Sequence, residues 1–208
     1  MKIEKINGFW VPSNDIHVED WKNGKPFTQN KCLKKFLQYC ESQTMKMRTV
    51  IDVGAWCGTW SKAIEPYARN VIAFEPDKVH FECLQKNCTI NCSPRMEAVG
   101  AEEKRVALTD DNFTQAKRID QQGNTRMIAL DSMGYKDVDM IKIDVEGYEM
   151  EVLKGAKDLL ANVRYIMIEL NNNTKKYGSS NSQVEKHLDN LGFKVLMDHW
   201  PDKVFYRV

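Results

Sequence analysis

From Val50 onward the apolar residues fall into two alternating rhythms. Short, nearly continuous runs at Val50–Val53, Val71–Phe74, Met140–Ile143 and Tyr165–Leu170 read as strands buried on both faces, and Met96–Val99 is a weaker run of the same kind. Between them, apolar positions recur three and four residues apart. They are Trp60, Ala63, Ile64, Tyr67 and Ala68, then Phe81, Leu84 and Cys88, then Val152, Leu153, Ala156, Leu159 and Leu160, and last Val184, Leu188 and Leu191. Each set marks one face of a helix, and Gly192 is placed to end the last. Strands alternating with helices predict an α/β fold, a doubly wound and mostly parallel sheet with helices on both faces. Two final strands, Phe193–His199 and Lys203–Arg207, are separated only by Trp200-Pro201-Asp202. That turn is too short for a crossover, so the pair must be antiparallel and one strand near the sheet edge is reversed.

The flanking segments are less regular. Turn signals at Pro12-Ser13-Asn14-Asp15 and Asn23-Gly24-Lys25-Pro26 predict irregular chain over residues 1–28, packed on the main domain or covering a site. Leu33, Phe36, Leu37 and Cys40 mark a helix from Gln29 to Cys40. The chain thus divides into an N-terminal extension (1–46) with one helix packed on the core and a main domain (47–208). Residues 101–130 break into short segments, small strands by expectation, around Thr109-Asp110-Asp111-Asn112 and Gln121-Gln122-Gly123-Asn124.

Composition adds exclusions. Hydrophobic residues make up 42% of the 208, charged residues 28%, and the formal net charge is +1. That balance gives no reason to expect a nucleic-acid or membrane partner. No apolar run has the length of a signal peptide core or a bilayer span, so a cytoplasmic location is expected. Three of the six cysteines crowd into Cys83, Cys88 and Cys92, but without the two-residue spacing of a zinc knuckle. Free thiols, neither metal-bound nor paired, are the expectation.

The candidate chemistry begins at VIDVGAWCGTW, residues 50–60. A buried strand there runs into a turn with Gly54 and Gly58, at the kind of strand end where doubly wound sheets bind ligands. Glu75 ends the next strand, 17 residues beyond Gly58, where an acid can hold ribose hydroxyls. The middle glycine that admits a pyrophosphate is missing. Trp56 stands in that region, and Asp52 adds negative charge near the turn. An adenosyl ligand with a cationic sulfur and no phosphate, S-adenosylmethionine, fits this better than a dinucleotide, with Trp56 walling the pocket or packing in the core.

VIDVGAWCGTW, IAFEPD, LDSMGYKDVDMIKIDVEGYEMEVLKGA and YIMIEL together resemble, in order, the FkbM-type methyltransferases, over about residues 47–208. The stretch from Ile141 to Ala156 is the most specific part. The resemblance implies a Rossmann-like, seven-stranded sheet with its last strand antiparallel, and S-adenosylmethionine-dependent methylation, typically of a hydroxyl on a sugar, glycan or other small molecule. By position it implies that Asp52, Gly54, Ala55, Trp56, Gly58 and Thr59 surround the methionine part of the cofactor and that Glu75 holds the ribose. Pro76, Asp77, Ala98 and Val99 then lie near the adenine. Trp56-Cys57 departs from the family's small polar residue followed by an apolar one.

A hydroxyl acceptor holds its proton tightly, so its methylation needs a base or a metal. Asp144 ends one strand, Glu146 follows it, and Glu169 ends the neighbouring strand, so these three are the candidate catalytic carboxylates, Asp144 also facing the cofactor. Asp144, Glu169 and Asn171 would make an all-oxygen set for Mg²⁺, but strand-end carboxylates bind substrate hydroxyls as well, and a metal-free site is the reading adopted. Helix capping competes with catalysis at Glu146 and Glu149. Lys142, inside an apolar strand, calls for an acidic partner. His199 is a lone histidine late in a strand. Two other readings stay open: a nicotinamide-dependent oxidoreductase on a similar sheet, and a non-catalytic cofactor-binding module. Oligomeric state is not legible.

Overall fold

The computed structural model describes residues 2–27, 30–109 and 118–207. The chain opens with an antiparallel hairpin, β1 (Ile3–Ile6) and β2 (Phe9–Pro12), followed by a short helix, α1 (Val18–Lys22). Residues 2–27 are therefore more regular than the turn signals in the segment predict. Aromatic side chains explain this: Phe9, Trp21 and Phe27 pack on one another and give the segment a small core of its own. The buried side chain of Asn87 ties the hairpin down, bonding Trp10 N, Trp10 O and Cys57 O at 2.8, 2.8 and 2.9 Å.

Helix α2 (Lys31–Ser42) is capped by Asn30, whose side chain accepts from Leu33 N. Then the alternation begins: β3 (Met47–Val53), α3 (Thr59–Ile64), β4 (Ala68–Phe74), α4 (Lys78–Asn87) and β5 (Cys92–Arg95). A small sheet follows, made of β6 (Ala98–Val99), β7 (Lys104–Thr109) and β8 (Arg118–Ile128). The main sheet resumes with β9 (Val138–Ile143), α5 (Glu149–Lys154), α6 (Lys157–Leu160), β10 (Tyr165–Glu169), α7 (Asn181–Asn190), β11 (Lys194–His199) and β12 (Asp202–Tyr206).

The seven main strands lie in the order β11-β12-β10-β9-β3-β4-β5, with only β12 antiparallel to its neighbours. This is the doubly wound sheet the periodicity predicts, with its last strand reversed. Strand parity sorts the core. Ile51, Val53, Ile141 and Ile143 pack with α5, α6 and α7, while Val50, Val71 and Met140 pack with α2, α3 and α4. Chain order reverses between β3 and β9, which opens a crevice at their carboxyl ends.

Three details differ from expectation. Of the strand placed at Met96–Val99 only Ala98–Val99 forms, and it joins the small sheet; the strand that pairs with β4 is β5, just before it. The sequence Cys-Ser-Pro-Arg lacks an apolar signature because β5 is an edge strand, where Pro94 is tolerated. The helix expected across Val152–Leu160 breaks in two at Gly155. A Cβ there would sit 1.9 Å from Gly100 O, so the chain needs glycine to pass the start of the small sheet. The turn signal at Gln121–Asn124 marks a bulge inside β8: Val106 pairs with Thr125 and Ala107 with Asp120, leaving those four residues between. The other signal, at 109–112, lies largely outside the described residues. Among the described residues no helix is long and apolar enough to cross a membrane.

Candidate active site

A cavity of about 470 Å³ occupies the crevice at the carboxyl ends of β3, β4, β9 and β10. Its volume is within the range of small-molecule sites. The glycine turn forms its floor. Gly54 has φ +78°, and a Cβ on it would lie 1.8 Å from Asp144 O, so only glycine lets β3 and β9 approach this closely. Ala55, Trp56 and Thr59 continue the lining. Trp56 adopts φ +49°, a costly conformation for a bulky residue, and its ring packs against Trp21 at 5.7 Å and His80 at 6.1 Å between centroids. It walls the cavity and joins the core at once.

Glu75 directly follows β4 and is only 6% exposed, its carboxylate fixed by two backbone amides. Trp56 N donates to Oε2 at 2.9 Å and Asp77 N to Oε1 at 2.8 Å. Both carboxylate oxygens keep a lone pair for a further donor. Pro76, Ala98 and Val99 line the cavity beside it.

Asp52, Gly58 and Asp77 do not line it. Asp52 shares the strand face of Val50 and is fully buried toward α3, where Ser61 Oγ donates to its Oδ2 at 2.6 Å. Lys142, its partner across β3 and β9, lies 3.1 Å from Oδ1, off the hydrogen-bond direction, and donates to Gly54 O at 2.6 Å. Burial pushes the Asp52 carboxyl up against the pull of Lys142. Burial also opposes the Lys142 charge, but Asp52 and Asp144 outweigh it and hold the ammonium above its ordinary range. The negative charge expected at the turn is therefore neutralised beneath it. Gly58 caps α3, and Asp77 caps α4, its Oδ1 accepting from Val79 N and His80 N.

Asp144, Glu146 and Glu169 meet at the far side of the cavity, with carboxylate oxygens within 4.8 Å of one another. Asn171 Nδ2 donates to Glu169 at 3.0 Å and to Glu146 at 3.3 Å, while its Oδ1 accepts from Asn173 N. Asn171 thus braces the carboxylates with its amide and has its oxygen engaged, and Glu146 stands where it was expected in the all-oxygen set. Burial, then Asp144, pushes the Glu169 carboxyl up to about 9, and the same two causes raise Glu146 against the amides of Asn173 and Asn171. Burial and Asp144 push Asp202, opposite Glu169 on β12, up to about 6. Burial therefore favours the protonated forms of Glu169 and Glu146. Glu149 is buried at the first position of α5, accepting from Gly147 N at 2.9 Å, and lies outside the cavity lining. His199 lies outside it too.

Part of the site carries no motif. His17, Asp20, Trp21, Lys25, Phe27 and Asn30 line the cavity from the N-terminal extension, and His80 and Glu97 line it from the domain. The expectation that residues 1–28 cover a site was the available signal.

The sequence pattern of the methyltransferase FkbM domain matches residues 52–195. No curated protein matches the chain. Among solved structures, it is similar to the methyltransferase FkbM from Methylobacillus flagellatus (16% identity, TM-score 0.56), covering 77% of this chain but only 43% of that one. It is also similar to the magnesium protoporphyrin IX methyltransferase from Synechocystis with bound S-adenosylmethionine (12%, TM-score 0.54, 85% of this chain and 78% of that one). A third is a putative tRNA (m1A22) methyltransferase from Streptococcus pneumoniae in complex with S-adenosyl-L-methionine (15%, TM-score 0.51, 83% and 72%). At these identities the structural likeness is one of fold. The match to the sequence pattern spans well over half of the residues and contains the glycine turn, Glu75, Asp144, Glu146 and Glu169, and the chain belongs to the FkbM methyltransferase domain family.

Proposed function

We propose that the protein is an S-adenosylmethionine-dependent O-methyltransferase whose acceptor is a hydroxyl of a sugar, glycan or related small molecule. The observation that carries the reading is Glu75, buried directly after β4 and lining a cavity of about 470 Å³ beside Gly54. Ribose hydroxyls there would meet a fixed acceptor, and the approach of Gly54 leaves backbone exposed to the methionine part. Trp56 stands where a dinucleotide fingerprint wants an open glycine, which disfavours a nicotinamide cofactor.

When bound, S-adenosylmethionine supplies an electrophilic methyl group. The chain's own part is to orient the acceptor and take its proton. Asp144, Glu146 and Glu169 present hydrogen-bond acceptors to a hydroxyl, and the raised carboxyls are stronger bases than ordinary ones once ionised. Asn171 and Asn173 hold Glu146 and Glu169 in place. Their negative charge favours a hydroxylated small molecule over a phosphate-rich nucleic acid. The N-terminal extension, covering the opposite wall, limits the size of the acceptor. A hard divalent cation among the three carboxylates is the second reading of that cluster.

The test is a thermal-shift panel with S-adenosylhomocysteine, NADH and ATP, followed by methyl transfer to a panel of sugars with and without EDTA. Stabilisation by S-adenosylhomocysteine alone is expected, weakened at least tenfold in Glu75→Ala, since a hydrogen bond to a charged group contributes about 1.5–3 kcal/mol. Stabilisation by NADH instead would favour the oxidoreductase. Binding without transfer to any acceptor would favour the non-catalytic module, and loss of transfer in EDTA would favour the cation.

A further inference from the structure

At the opposite end of the sheet from the cavity, three side chains from separate parts of the chain converge. Glu65 follows α3, Cys88 caps the end of α4, and Cys92 opens β5. One carboxylate oxygen and two sulfur atoms all lie within 4.8 Å of one another. We propose that Glu65, Cys88 and Cys92 form a binding site for a thiophilic divalent cation of the Zn²⁺ type.

The donor set suits that class of ion: two thiolates and a carboxylate oxygen are ordinary zinc ligands, with donors about 3.5–3.8 Å apart in a tetrahedral site built on bonds of about 2.0–2.3 Å. Small side-chain rotations close the remaining gap. Glu65 is already aimed. Thr89 Oγ1 donates to its Oε2 at 2.8 Å and Thr89 N to its Oε1 at 3.2 Å, the kind of outer-shell support that orients metal ligands. The loop is held on both sides, because Asn91 Nδ2 donates to Glu65 O and Ala68 O, each at 3.2 Å. Glu65 and Cys92 are buried whereas Cys88 is half-exposed, which gives an ion an entrance. The second thiol pair, Cys57 and Cys83, offers a contrast: both sulfurs are buried in an apolar cluster, and no third ligand joins them among the described residues.

Binding releases both thiol protons to solvent, and the ion with two thiolates and one carboxylate carries a net charge of −1. With three protein ligands, solvent completes the coordination. The ion would join the end of α3 and the end of α4 to the amino ends of β4 and β5, stiffening the edge of the sheet far from the chemistry. The spacing of the cysteines could not show this, because the third ligand lies 23 residues before Cys88.

The reduced protein, freed of metal, is titrated with Co²⁺ and Cd²⁺ while thiolate-to-metal absorption is followed, and melted with and without Zn²⁺. One equivalent is expected to saturate the band, and Zn²⁺ should raise the melting temperature by several degrees. Cys88→Ser with Cys92→Ser should abolish the band, and Glu65→Gln should weaken binding at least tenfold. Should the double variant fold poorly, Cys88→Ser alone, at a half-exposed position, serves the same purpose. No band in the wild-type protein, or one that persists unchanged in the serine variants, overturns the proposal. So does formation of a Cys88–Cys92 disulfide in air if the reduced protein takes up no metal. None of these readouts depends on methyl transfer.

Discussion

Asp52 and Lys142 face each other across β3 and β9, both buried, on the side of the sheet that carries α3. A buried pair of this kind adds little stability over an apolar pair, but removing one partner strands the other, at a cost of about 3–5 kcal/mol. Lys142→Met should therefore lower the melting temperature by roughly 6–20 °C, since each kcal/mol is worth about 2–4 °C in a domain of this size. Asp52→Asn added to it should recover part of the loss. A double-mutant cycle by thermal melting checks this, and additive losses would show that the two charges are not coupled. Glu75 was legible from its distance beyond the turn, and the need for a partner at Lys142 from its apolar strand. The placement of Asp52 was legible only through parity: it shares a face with Val50, so it points into the α3 layer and not up into the crevice.

At the scale of elements, Asn87 joins two pieces that local sequence keeps apart. It closes α4 while its amide reaches both backbone groups of Trp10 and the carbonyl of Cys57 in the glycine turn. Asn87→Ala leaves these groups without their partner, for a loss of about 1–3 kcal/mol. Hydrogen exchange should quicken over β1 and β2 and stay slow in β3 and β9. Uniform quickening would mean that the hairpin is no separate cooperative unit. The main strands and helices were readable because burial on both faces and one-faced helices leave strong periodic signals. The edge strand β5, the break at Gly155 and the bulge in β8 were not. Each depends on contacts with a distant segment: β4, Gly100 and β7.

For the molecule as a whole, the carboxyl ends of the strands gather acids that hold protons in the folded state. Glu169 is pushed up to about 9, Glu149 to about 7 and Asp202 to about 6, burial leading in each case. Raised carboxyls contribute stability that is fully present below the ordinary carboxylate range and is lost as pH rises through each folded value. Lys142, held above its ordinary range, is unchanged between pH 5 and 9, and Asp139, lowered mainly by its bonds to Arg48 against the effect of burial, acts only in acid. His187, lowered by burial, opposes the trend weakly near pH 6. The sum predicts a melting temperature that falls as pH rises from 5.5 to 9. Glu169→Gln keeps the hydrogen-bonding shape of the protonated acid and should flatten the upper half of that slope, whereas identical slopes would remove Glu169 as its source. A cation bound beside these carboxylates lowers their proton affinity and so binds more tightly as pH rises. S-adenosylmethionine, with its positive sulfur, should therefore gain affinity between pH 6 and 9 relative to S-adenosylhomocysteine, whose sulfur is neutral. Calorimetric titration of both ligands at the two pH values reads the difference directly, and a constant ratio would place the sulfur away from the acids of β9 and β10.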